Sequence, residues 1–221
     1  MRTSLFFTFN QLKPQIRKRA RILKSFSKRI GLAYLGRMDQ HDDEYDAVRG
    51  FTASISHRDA HYSVGTYEDT NIRLVHRFDT QKHQGTTTAT GWVIFEFELT
   101  ARDLPHIFFI PTGKTDISYE RVYAANIHMQ PLNSILQPLK HSPDIHGRYQ
   151  IVSRPTHARS VEALLTSPVI FGISEKLWPR GIEIHKNKLY LYMSESSVNA
   201  GALDATCLAG LWLTKELNKE A

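Results

Sequence analysis

The chain has 221 residues, of which 41% are apolar, 10% aromatic and 23% charged, an ordinary balance for one well-buried globular core and not for a wholly disordered chain. Its formal charge is +6, but the distribution is uneven: ten of the 28 Lys and Arg precede Asp39, and no carboxylate stands among them. The remaining 18 basic residues face all 22 Asp and Glu, so residues 39–221 are net acidic and the high isoelectric point belongs to the first segment. A single cysteine, Cys207, excludes an internal disulfide and a thiolate-rich metal site. No stretch approaches the ~18–20 apolar residues that span a bilayer. The cluster Leu5-Phe6-Phe7-Thr8-Phe9 is shorter than a signal-peptide core and is followed by its charge instead of preceded by it. An acid-free, Arg-rich start also matches the composition of an organelle transit peptide.

The first predicted element is an amphipathic basic helix over residues 13–30, within an N-terminal arm of residues 1–38. Leu12, Ile16, Ala20, Ile22, Leu23, Phe26, Ile30 and Ala33 fall in an arc of roughly 160° on a helical wheel, the width of one buried face. Lys13, Arg17, Lys18, Arg21, Lys24, Lys28 and Arg29 occupy the other side. Arg19 projects from the middle of the apolar face, where it must snorkel or find a partner. Pro14 suits a first turn, and Gly31 or Gly36 a termination. Three destinations fit such a helix: its own body or a partner subunit, an anionic membrane surface, or nucleic acid. For an anionic surface, the charge would come from Arg17, Lys18, Arg21, Lys24, Lys28 and Arg29, and the apolar contact from Ile16, Leu23, Phe26 and Ile30. Nucleic-acid arms do not require a continuous apolar stripe, and this segment has one.

From Ala47 the pattern shifts to short β-branched and aromatic runs separated by turns. Strands are predicted at Val48–Ile55, Tyr62–Tyr67, Ile72–Phe78, Gly91–Leu99 and Ile107–Ile110, with a turn at Ser56–Asp59 and a polar, Thr-rich loop over Gln81–Thr90. A short helix is predicted at Ser118–Ala125, after which Pro131, Pro138 and Pro143 forbid a long regular element. Tyr149–Ser153 reads as a strand, Ser160–Leu165 and Pro168–Leu177 as helices. Ile182–His185 and Leu189–Tyr192 form a hairpin about Lys186-Asn187-Lys188, and Ala202–Leu217 is a final helix. Strands first and helices later give an α+β fold: an antiparallel sheet, helices mainly in the C-terminal half, and a single domain over residues 39–221.

The segments Leu104–Pro111, Tyr149–Val152, Val161–Thr166 with Pro168, and Ile182–Ile184 leading to Leu189–Tyr192 resemble, in order and spacing, an uncharacterised bacterial domain-of-unknown-function family of the DUF3137-like type. The resemblance covers about residues 60–215. It implies a β-rich domain that often hangs on a membrane anchor, a place here taken by the basic helix, and it carries no established site residues.

Eleven histidines raise metal or acid–base chemistry. His57 and His61, with Asp59 between them, have i, i+4 spacing, but the segment reads as a turn and lacks the glutamate of a zinc-protease helix. His41-Asp42-Asp43 is read as a solvated acidic run. Cys207 sits among leucines of the last helix with no base beside it. Gly113-Lys114-Thr115 ends like a phosphate loop, yet Phe108 stands where the first glycine belongs. Phe95 and Phe97 alternate with Glu96 and Glu98, as in a strand with one face to the core and glutamates to solvent, so a base-stacking platform is disfavoured. No cofactor motif is present. These features predict a non-catalytic binding or scaffold module, cytoplasmic and peripheral at an anionic membrane surface or on a protein partner through its basic helix. A nucleic-acid binder using the same arm and an enzyme built from dispersed His, Asp and Glu are the alternatives.

Overall fold

The computed structural model describes residues 4–36, 57–83, 86–101, 103–113, 126–138 and 142–219. The strand predicted at Val48–Ile55 and the helix predicted at Ser118–Ala125 lie outside these residues. The rest is an α+β fold: a nine-stranded antiparallel sheet with helices drawn mainly from the C-terminal half and one basic helix at the start. In chain order the elements are α1 (Ser4–Arg29), β1 (Ala33–Gly36), β2 (His57–Tyr67), β3 (Thr70–His83), β4 (Thr86–Glu98), β5 (Ile107–Pro111), β6 (Gln130–Pro131), α2 (Pro143–Arg148), β7 (Tyr149–Ser153), α3 (Ala158–Leu164), α4 (Ser167–Gly172), β8 (Gly181–His185), β9 (Lys188–Ser194) and α5 (Ala200–Lys219). The strand order is β1-β2-β3-β4-β9-β8-β5-β7-β6.

Two tight hairpins set the registers. Glu68-Asp69 and Lys186-Asn187 all have positive φ, the two-residue geometry whose twist matches that of paired strands. β4 then pairs with β9, Trp92 opposite Ser194 through Glu98 opposite Lys188, which joins the early meander to the late hairpin. Alternation does the rest. Leu74, Phe95, Phe97, Phe109, Ile151, Ile182 and Leu191 form one large core with Leu203, Leu211, Leu213 and Leu217 of α5 and with Leu23, Phe26 and Ile30 of α1. Tyr62, Val75, Trp92, Ile94, Phe108, Val152, Tyr190 and Tyr192 make a second, smaller core on the opposite face.

Several expectations are corrected. Ser56–Asp59 is not a turn from His57 onward, because His57 and Arg58 already pair with Asp79 and Phe78. Most of the polar, Thr-rich stretch is strand: β3 runs to His83 and β4 begins at Thr86, with Thr87 opposite Lys82. β-Branched threonines pair as readily as they loop, and the long antiparallel ladder decides for strand. α1 begins at Ser4, so Pro14 lies inside the helix and not in its first turn. The helix predicted at Pro168–Leu177 starts at Ser167, with Thr166 and not Ser167 at its cap position, and changes to a wider π-type turn over Ile173–Leu177. β1, which was not foreseen, pairs with β2 and ties residues 33–36 to the body.

Candidate functional site

The second half of α1 lies on the sheet. Leu23, Phe26 and Ile30 are 1%, 2% and 8% exposed, and the Phe26 ring meets the edge of Phe95 in β4 at 5.8 Å. Ser27, on the same side, donates to the Leu23 carbonyl and lies 2.8 Å from the Ser63 hydroxyl of β2. These three apolar residues are therefore interior and unavailable to an outside surface, which corrects the contact role foreseen for them. The sheet face bearing Leu74 and Phe95 needs a cover, and a stripe at i, i+3 and i+7 on the same chain supplies it without a second molecule. Ile16 precedes the side chains that the structure describes.

The opposite side of the helix stays open. Arg17, Lys18, Arg21, Lys24, Lys28 and Arg29 are all exposed. Arg29 pairs with Asp204 of α5, and Lys24 lies 5.6 Å from the centre of the Tyr34 ring. Among the described residues, Arg17, Lys18, Arg21, Lys24 and Lys28 have no carboxylate partner. The result is a ridge of cations on a helix fixed by its other side.

Arg19 has the partner that its place on the wheel demands. Its Nη1 lies 2.8 Å from Oε2 of Glu195, which is 3.2 Å from Nε2 of His76. Gly91 of β4 makes the room: a Cβ there would sit 2.1 Å from the same carboxylate oxygen. The hydrogen bond from His76 lowers the Glu195 pKa; burial opposes this and Arg19 reinforces it. His76 stacks on His61 at 5.8 Å, and His61 Nδ1 is 2.6 Å from the Tyr34 hydroxyl. Burial, then the charge of His76, lowers the His61 pKa. The need of Arg19 was legible in the sequence. Glu195, 176 positions away, was not.

The three weak metal candidates are not brought together. Asp59 is held by Arg77 through Nε at 2.7 Å and Nη2 at 2.6 Å, a buried bidentate pair. His61 turns to Tyr34 at an irregularity in β2, with φ +54°. The His57 side chain is not among those described. No group of three or more His, Cys, Asp or Glu among the described residues is placed to hold a metal ion.

The second sheet face carries charge in its interior. Arg73, Glu96, Tyr190, Glu183, Phe108 and Val152 are successive cross-strand partners on β3, β4, β9, β8, β5 and β7. Glu96, expected in solvent, is buried between Lys188 at 2.8 Å and Arg73 at 3.7 Å. Glu183 accepts from Tyr192 Oη at 2.5 Å and lies 2.8 Å from His106 Nε2, whose ring centre is 3.9 Å from that of His185. Burial, with the Glu96 and Glu183 carboxylates, drives the Tyr190 pKa well up. Cys207 is likewise raised, to about 12, chiefly by burial, so it carries no thiolate near neutrality. Each buried carboxylate thus meets a cation or hydroxyl. The arrangement holds strands together.

No family model and no curated protein matches the chain. Among solved structures it is similar to the crystal structure of the mycobacterial trehalose monomycolate transport factor A, TtfA, at 11% sequence identity. That likeness covers 92% of this chain and 94% of the other, with a TM-score of 0.60. At such identity the two share a fold. No helix among the described residues is long and apolar enough to cross a membrane.

Proposed function

We propose that the protein is a non-catalytic binding or scaffold module held against an anionic membrane surface by the outer face of α1. One observation carries this: among the described residues, five exposed cations without carboxylate partners line a helix whose other side is fixed in the core. Near anionic lipid each such residue contributes about 1 kcal/mol, so five together give on the order of 5 kcal/mol, sensitive to salt. The net acidic remainder of the chain favours an orientation with α1 toward the surface. A transport factor of the same fold suits a membrane setting. We also propose kinship with the DUF3137-like domains, since the resembling segments fall on β5, β7, α3, α4 and the β8–β9 hairpin.

The test is co-sedimentation of the full chain with vesicles of phosphatidylglycerol in phosphatidylcholine. Wild type should bind these and not pure phosphatidylcholine. Arg17→Glu, Arg21→Glu, Lys24→Glu and Lys28→Glu combined should abolish binding without loss of fold, all four side chains being exposed. Equal binding by this variant would overturn the reading. Tighter retention of RNA than of vesicles at the same salt would move the ridge to nucleic acid.

A further inference from the structure

With Leu23, Phe26 and Ile30 inside the molecule, the helix that bears the cations offers little grease from its docked half. Its neighbours offer it instead. Phe171 of α4 is 67% exposed and Leu208 of α5 is 55% exposed. They are not scattered singly. Leu208 and the half-buried Trp212 are one turn apart on α5, and Gly172, next to Phe171, lies so close to the Trp212 indole that a Cβ there would fall 1.9 Å from it. α4 thus packs on α5 at Trp212, and the exposed Phe171 stands one residue from that contact.

Cations flank this neighbourhood. Asp204, Leu208 and Trp212 stand at i, i+4 and i+8 along the outer line of α5. At one end Asp204 holds Arg29 of α1. At the other the Lys176 ammonium lies 4.5 Å from the centre of the Trp212 ring. The patch is thus continuous, through Arg29, with the ridge of cations on α1. An amphipathic aromatic, an exposed Phe and a Leu among Lys and Arg match the chemistry of the boundary between lipid headgroups and acyl chains.

We infer that Phe171, Leu208 and Trp212 form an apolar anchor that enters an anionic bilayer beside the α1 ridge and orients the body with its helical layer toward the membrane. This rests on the proposed membrane role and adds a second contact, made by α4 and α5, with hydrophobic instead of electrostatic character. The occupant is lipid because the patch adjoins the exposed cations of α1, five of which have no carboxylate partner among the described residues.

The experiment compares the full chain with a Phe171→Ser, Leu208→Ser variant on phosphatidylglycerol–phosphatidylcholine vesicles, at low and moderate salt. Both side chains are exposed, so the thermal midpoint of the variant should match wild type. Its affinity should fall roughly tenfold or more, and the loss should persist at moderate salt, where the charge contribution is screened. Lipids brominated high on the acyl chain should quench wild-type tryptophan fluorescence, and Trp212→Phe should remove that quenching. Wild-type affinity in the double variant, with Trp212 unquenched, overturns the anchor; if α1 charge reversal still abolishes binding, the membrane role stands without it. Absence of any vesicle binding by wild type overturns both. A concentration-dependent dimer that the double variant loses, with vesicle binding unchanged, assigns the patch to a second copy and overturns the lipid assignment.

Discussion

The two faces of the sheet are stabilised by different means. One buries Leu, Ile, Val and Phe beneath α1 and α5, with a single ion cluster, Arg19, Glu195, His76 and His61, described beside them. The other buries Arg77 with Asp59, Glu96 with Lys188, and Glu183 with His106 and Tyr192, among aromatic rings. A face closed by helices tolerates loose pairing of apolar shapes, because dispersion and desolvation have no direction. A face that buries charge depends on each partner being present, because a charge left alone in low dielectric has no compensation. The first face should therefore respond chiefly to lost volume, and the second chiefly to lost partners.

Removing a partner should have the largest effect. Arg77→Ala leaves Asp59 buried and uncompensated and should cost up to about 5 kcal/mol in urea unfolding, whereas Arg77→Met with Asp59→Leu should recover most of that. A double variant no better than the single one would break the contrast. On the first face Phe26→Ala should cost about 3–4 kcal/mol through a cavity under Phe95. A much smaller loss would show that lost volume does not govern this face.

The smallest effect sharpens the second face. Burial, then the charges of His106 and Lys186, lowers the His185 pKa from 6.5 to about 4. Between those values the unfolded chain takes up a proton that the folded chain refuses. Its contribution is complete above pH 6.5 and is lost as pH falls toward 4. His185→Gln should flatten the decline in urea midpoint across this window, discounted because the ring is half exposed. An unchanged slope would remove His185 from the account.

Local pattern reveals the first face and conceals the second. β4 was legible because Phe95 and Phe97 alternate with Glu96 and Glu98, and the β8–β9 hairpin because its apolar runs flank Lys186-Asn187. The same alternation placed Glu96 in solvent, since nothing near it in sequence announces Lys188 across the ladder. His57-Arg58-Asp59 looked like a turn because it is polar, but its backbone pairs with β3 and Asp59 is held there by Arg77. The strands that escaped notice are the ones whose pairing partners, not their own side chains, make them strands. The basic helix shows the division within one element. Its charge ridge and the odd placement of Arg19 were evident, but the periodicity that marks an apolar face is silent about what covers it, and here the sheet does.

The junction of β4 with β9 has a temporal side. Glu98 meets Lys188, and at about 5–20 residues per second a ribosome needs on the order of ten seconds to reach the second from the first. Throughout that interval the emerging meander presents β4 as an unprotected border, and α1 waits for α5. A nascent chain in this state invites strand pairing with its neighbours on a polysome. Chaperone demand during synthesis should thus be set by this one late-closing seam.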